Sequence, residues 1–156
     1  TIIRDVNARP IEQVSGSNTK EEIGAVLNKY GISDKTLSLW GTGAPLREFL
    51  WSEEMADACV FIMEHVDFSD LTKDKKEIRN CHINIGSGEE ISIRNLAYLI
   101  KERVNYSGKI EFDSSKPDGT MRKLTDVSKL NALGWKHSIG IQEGVKKLYE
   151  WYLHNL

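Results

Sequence analysis

The sequence predicts an α/β domain with a small, mixed, partly parallel sheet and flanking helices. Two observations predict it. Short apolar runs with strand character (LSLW at 37–40, HINIG at 82–86 and KIEFD at 109–113) are separated by segments with helical apolar spacing, which favours parallel pairing over hairpins. The 156 residues suffice for one real core but hold too few strand–helix–strand units for a complete doubly wound sheet. The predicted division is an N-terminal arm with an insertion helix at residues 1–36, followed by the main domain at residues 37–156.

Residues 1–18 carry no sustained period and read as a loop or arm. Thr19 and Glu22 form a T-x-x-E capping box, and Ile23, Val26, Leu27 and Tyr30 follow at helical spacing up to Gly31, which can close the helix in the left-handed conformation. The segment 37–51 reads as a strand, a glycine turn and a second extended piece. Ser52 is the expected cap of the next helix, with Met55, Cys59, Ile62, Met63 and Val66 inward and Cys59 a packed thiol. Residues 67–80 read as a charged surface connector. Ser92 caps a helix on which Ile93, Leu96, Ala97, Ile100 and Val104 share a face. The polar loop 114–123 follows the last strand. Asp126 caps a short helix closed by Gly134, and a final helix at about 141–154 turns Ile141, Val145, Leu148 and Tyr152 inward.

A formal net charge of -2 gives no global attraction to nucleic acid, and no apolar run approaches the length of about 18 residues that spans a bilayer. Charge is nevertheless uneven: residues 53–77 hold eight acids against three lysines, while residues 116–136 hold five bases against two acids, a stretch suited to an anionic ligand. The histidines at 65, 82, 137 and 154 lack metal-ligand spacing, and two cysteines make no disulfide framework, so no metal is expected and a reducing cytoplasm is the expected compartment. The chain opens on Thr1 without a signal-peptide pattern, which predicts a piece of a longer protein.

The GSG at 86–88 lies between a strand and a helix, as a dinucleotide-binding turn would. The position of the third glycine is held by Ile91, so a structural turn is the better reading. WGTGAPLREF (40–49) offers more. Trp40 presents a flat apolar surface for a base or sugar ring, and Arg47 a planar fork for phosphate. In KPDGTMRK (116–123), Lys116, Arg122 and Lys123 can neutralise a pyrophosphate, and Asp118 can accept from sugar hydroxyls. Each residue alone is more often structural. Together they supply what a nucleotide sugar needs: cations, acceptors and a stacking surface.

The runs WGTGAPLREFLWSEEMADA, HINIGSGEEISIRNLA and FDSSKPDGTMRKLTDVSKLNALGW resemble the C-terminal part of GDP-L-fucose synthases, of the extended short-chain dehydrogenase/reductase superfamily, over about residues 37–154. The second run is shared widely in the superfamily; the other two are narrower. The resemblance implies a substrate-binding domain for a GDP-linked sugar. It belongs to an NADP-dependent oxidoreductase that epimerises GDP-4-keto-6-deoxy-D-mannose and then reduces it with NADPH to GDP-L-fucose. It implies substrate contacts at Trp40, Arg47, Asp118 and Lys123, a separate N-terminal coenzyme domain as partner, and a homodimeric full enzyme. Trp51-Ser52-Glu53-Glu54 stands where the family usually has His-Val-Asp-Asp, and Met121 replaces a common proline. Residues 1–36 resemble nothing general in the family and read as an insertion. The family's catalytic Tyr-x-x-x-Lys has no counterpart, because Tyr98 and Tyr106 have their lysines three residues on. No catalytic residue and no bound NADP(H) are therefore expected in these residues alone. The alternatives are part of another nucleotide-sugar epimerase or dehydratase, or a free-standing sugar-nucleotide binding module.

Overall fold

The strands β1 (Thr36–Trp40) and β4 (Lys109–Asp113) pair in parallel, in register from Thr36 opposite Lys109 to Trp40 opposite Asp113. They appear in a computed structural model that describes residues 2–73 and 75–155. A second pair joins β2 (Leu46–Glu48) to β3 (Glu90–Ser92). The architecture is the predicted α/β one, a small sheet content with helices around it. The chain divides into two compact units, one of Thr1–Pro45, Ser92–Met121 and Val145–Leu156, the other of Leu46–Ile91 and Arg122–Gly144.

The first unit holds the parallel pair. Residues 2–8, expected as loop, form a helix, α1 (Ile2–Ala8), with Val6 only 3% exposed. Two turns are too short to register as a period, and so short a helix owes its stability to packing. Val6, Ile11, Val14, Ile23, Val26 and Leu27 converge on one small crevice. The last three belong to α2 (Lys20–Lys29), where the expected capping box is complete: Glu22 N–H donates to Thr19 Oγ1 at 3.2 Å, and Thr19 N–H donates to Glu22 Oε2 at 3.0 Å. Gly31 is left-handed at φ 75°, as predicted. Helix α5 (Ile93–Arg103) begins where Ser92 Oγ accepts from Asn95 N–H at 3.1 Å. Its apolar face, with Leu96, Ala97, Ile100 and Val104, lines an apolar groove together with Leu37, Leu39 and Ile110 of the parallel strands. Helix α7 (Ile141–His154) forms where predicted, but Leu148 is 57% exposed and does not turn inward.

The second unit packs around Ala58, Leu130 and Trp135, with Leu50, Phe61, Ile62, Ile83 and Ile85 against them. Its helices are α3 (Ser52–His65), α4 (Phe68–Thr72), in the segment expected as connector, and α6 (Ser128–Ala132). The inward face of α3 differs from the apolar stripe. Glu54 and Ala58 are buried, while Met63 is 84% exposed and Met55 and Cys59 are exposed, so Cys59 is not a packed thiol. The reason is polar. Trp135 Nε1 donates to Asp57 Oδ2 at 2.7 Å, and Glu54 Oε1 accepts from Ser138 Oγ at 2.8 Å and from Ile139 N–H at 2.9 Å. A carboxylate that collects its donors on one oxygen can face a core, here with Glu54 Oε2 buried and without a partner, and hydrophobic periodicity does not register it. Trp51, not Ser52, caps this helix, without a side-chain bond. Residues 82–86 are not a strand: Ile83 and Ile85 pack on the core, but Asn84 Nδ2 donates to Asp126 O at 3.0 Å and Lys129 Nζ donates to His82 O at 2.6 Å. The segment is anchored by side chains rather than by a ladder. At α6, Asp126 accepts from Ser128 N–H at 3.0 Å, although the capping position is Val127.

Candidate functional site

The predicted ligand residues occupy both units. In the first, Trp40 ends β1 and Asp113 ends β4, so the loops that follow leave the same, carboxyl end of the parallel pair. In open α/β sheets this end is where ligands bind. Gly41 N–H donates to Asp113 O at 2.9 Å, and Gly41 and Gly43 take φ of 82° and 75°. That left-handed geometry costs glycine little and other residues more.

Between the two glycines, Thr42 is held at every polar group. Its N–H donates to Asp118 Oδ1 at 2.8 Å, its hydroxyl donates to Asp118 Oδ2 at 2.6 Å, and its carbonyl accepts from Arg94 Nη2. The Thr42 hydroxyl, and then its backbone N–H, hold the Asp118 carboxyl below its ordinary value. Each Asp118 oxygen keeps a lone pair for a further donor. Beside this turn Trp40 is 76% exposed, with Lys116 Nζ 5.6 Å from its ring centroid. Such an exposed ring beside a cation is a surface on which a planar base can stack.

In the second unit Arg47 sits on β2, half-buried, and donates through Nη1 to Leu46 O at 2.6 Å. It lines a cavity of about 50 Å³ with Phe49, Ser87 and His137, the last with a side chain only 8% exposed. Lys123 is exposed, and its neighbour Arg122 donates to Glu90 Oε2 at 2.9 Å. The next residue after Arg47, Glu48, ties this region together. It accepts from Gly88 N–H at 2.6 Å and from Thr125 N–H at 3.0 Å, two residues beyond Lys123. Burial pushes the Glu48 carboxyl up, but the bonds from Thr125, Gly88 and Ser87 outweigh it and hold the carboxyl below its ordinary value. Trp40 and Asp118 therefore share one loop cluster in the first unit, and Arg47 and Lys123 flank one carboxylate network in the second.

The GSG turn does not fit a dinucleotide. The Gly88 amide is taken by Glu48, and a side chain at Gly86 would meet Glu48 Oε1 at 2.5 Å, so a carboxylate stands where a pyrophosphate would lie. No group of three or more His, Cys, Asp or Glu among the described residues could hold a metal ion, and no described helix is long and apolar enough to cross a membrane.

Residues 10–86 match the NAD dependent epimerase/dehydratase family. That match takes in just under half of the chain. Over 118 residues the chain is 48% identical to GDP-L-fucose synthase 1 of Arabidopsis thaliana, and over 117 residues 43% identical to the GDP-L-fucose synthase of Escherichia coli. Those matches cover 76% and 75% of the chain but 33% and 36% of the relatives, so it spans about a third of the length of the curated family members it resembles. Among solved structures, a GDP-6-OMe-4-keto-L-xylo-heptose reductase from Campylobacter jejuni is 41% identical with a TM-score of 0.86, covering 99% of this chain and 42% of that one. That similarity includes the segment before residue 37. A GDP-D-glycero-L-gluco-heptose synthase from the same organism gives 39% and a TM-score of 0.82 over 97% of this chain and 40% of that one.

Two site residues, Arg94 and Glu48, escape the sequence reading, and only the first carries a signal. Arg94 stands in the first turn of α5, where the helix dipole disfavours a cation, and that misfit points to a tertiary role. Glu48 has no comparable signal, because an acid on a short strand reads as solvent-facing.

Proposed function

We propose that this chain is the substrate-binding part of an NADP-dependent epimerase/reductase of the GDP-L-fucose synthase type, acting on GDP-4-keto-6-deoxy-D-mannose. The observation that carries this reading is the coincidence of the narrow WGTG-x-P-x-REF and KPDGT-x-RK motifs with an exposed Trp40 on a loop already fixed in place. In this reading Trp40 stacks on the nucleotide or the sugar, and Arg47 and Lys123 meet the pyrophosphate as a fork and a point charge. Asp118 accepts from a sugar hydroxyl through its remaining lone pairs. The hydride would come from NADPH held by residues outside this set, since the GSG turn does not fit the coenzyme and Tyr-x-x-x-Lys is absent. The binding of the GDP-sugar is the contribution of these residues. The full enzyme is proposed to be a homodimer of the cytoplasm.

The test is titration of the chain with GDP, read by nitrogen–proton NMR with UDP as control. Shifts at the Trp40 indole, Arg47 and residues 116–123 with GDP alone are expected, with affinity in the millimolar range of about 1 mM for a partial site. Trp40→Ala should abolish the shifts with no change in unfolding free energy beyond about 0.5 kcal/mol, since the ring is exposed. Equal response to UDP would remove the guanine assignment.

One observation favours a second reading, a reductase of GDP-linked heptoses: among solved structures the Campylobacter jejuni reductase covers 99% of the chain with a TM-score of 0.86, against 82% and 0.64 for a GDP-L-fucose synthetase from Naegleria fowleri. Competition between a GDP-hexose and a GDP-heptose for the same site separates the two by which ligand displaces the other.

A further inference from the structure

We infer that Arg94 is a positioning residue for the Trp40 stacking surface, acting through Thr42 without touching the ligand. The inference rests on the proposed role of Trp40 and adds a residue to it.

A turn flanked by two left-handed glycines and exposed at its centre has much conformational freedom to lose. Left to itself, it would sample many orientations of the adjacent Trp40. Two segments distant in sequence prevent this. Asp118, from the loop after β4, takes the Thr42 N–H and hydroxyl, and Arg94, from the first turn of α5, takes the Thr42 carbonyl. The turn is therefore gripped at its donors by an anion and at its acceptor by a cation. Either grip alone would leave the peptide free to rotate about the other.

Arg94 is itself fixed. Its guanidinium carbon lies 4.0 Å from the centroid of the Phe112 ring, and its backbone N–H donates to Gly43 O at 2.9 Å. Ile93 N–H donates to Pro45 O at 3.0 Å, so the start of α5 is stitched to the turn along three residues. The Phe112 ring fills the space where a side chain at Gly43 would be, at 2.5 Å from an ideal Cβ, and Arg94 Cβ lies at 3.1 Å. Gly43, Phe112 and Arg94 thus form one packed unit under the turn. A cation in the first helical turn opposes the α5 dipole, so Arg94 stands there against local preference. The carbonyl of Thr42 explains what offsets that cost.

Arg94→Ala and Arg94→Lys test this in the chain titrated with GDP, with Thr42 amide exchange and urea unfolding read on the same samples. The expected result for Arg94→Ala is about tenfold faster Thr42 exchange and about tenfold weaker GDP binding, because an ordering cost moves from folding to binding. The unfolding midpoint should stay near that of the parent chain. Arg94→Lys keeps a cation over Phe112 and one donor to Thr42, and should recover binding to within about threefold. Unchanged Thr42 exchange and unchanged affinity in Arg94→Ala would overturn the inference, as would an affinity loss that merely follows global unfolding or that lysine fails to rescue. If the parent chain binds no GDP, the reading of Trp40 falls. Thr42 exchange then decides the grip on its own: faster exchange in Arg94→Ala sustains it and unchanged exchange ends it.

Discussion

Asp118 in the first unit and Glu54 in the second do similar work in opposite surroundings. Each carboxylate accepts a backbone N–H and a hydroxyl from one residue, Thr42 for Asp118 and Ser138 for Glu54. Thr42 is exposed at a loop tip, whereas Glu54 is 8% exposed beside the core of Ala58, Leu130 and Trp135. Water reaches the Thr42 turn freely, whereas Glu54 itself is nearly closed to it. The first arrangement sets loop geometry at small cost to stability, and the second is part of what holds its unit folded. The same chemistry thus serves recognition or stability according to burial.

The largest way to test that contrast is at Glu54. Glu54→Ala strips an acceptor from the backbone N–H groups of Ser138 and Ile139 and should lower the unfolding free energy by about 3 kcal/mol, measured by urea denaturation. Asp118→Ala in the same assay should cost less than about 1 kcal/mol. Equal losses would erase the distinction between the two units.

A smaller effect separates glycines. Gly43→Ala forces a left-handed φ on alanine and drives its Cβ into the Phe112 ring, which should cost about 2 kcal/mol. Gly24→Ala, in α2 with nothing within 4 Å of the added carbon, should gain about 0.5–1 kcal/mol by thermal or urea unfolding. A loss at Gly24 as large as that at Gly43 would show that backbone strain at the turn is not what matters.

The smallest effect is a titration. Both carboxyls lie below their ordinary values in the fold: Asp118 through its bonds from Thr42, and Glu54 because its bonds outweigh the burial that would raise it. A depressed pKa contributes stability that is present above the unfolded value and lost as pH falls through the folded one. The Thr42 amide signal should therefore move with a midpoint below 3.8, the ordinary aspartate value, and the movement should vanish in Asp118→Asn. A midpoint above 3.8 would mean that the bonds to Thr42 do not favour the ionised form.

How much of this was legible beforehand depends on range along the chain. The capping box at Thr19, the extended pieces at β1, β2 and β4, the helix from Ile93, the left-handed Gly31 and the tight bend at Gly41 and Gly43 are all readable, because each depends on residues within a turn or two. Trp40, Arg47, Asp118 and Lys123 stood out as ligand candidates because their chemistry is local to short motifs. The misreadings at α3 and at residues 82–86 have long-range causes. Apolar spacing turns Met63 inward on α3, but Ser138, 84 residues beyond Glu54, decides that the carboxylate faces in instead. The 82–86 segment had strand composition, but Lys129 and Asn84 supply its anchors.

The sequence by itself determined the α/β class, the starts of α2 and α5, the glycine turn after β1 and the chemical character of the candidate site, since propensity, capping and turn geometry act between near neighbours. Only the tertiary structure decided which acceptor meets which donor. Asp118 closes on Thr42 across 76 residues and Arg94 across 52, and no local rule links such positions. Hydrogen bonds need atoms within about 3 Å, and folding alone brings residues so far apart in the chain to that distance.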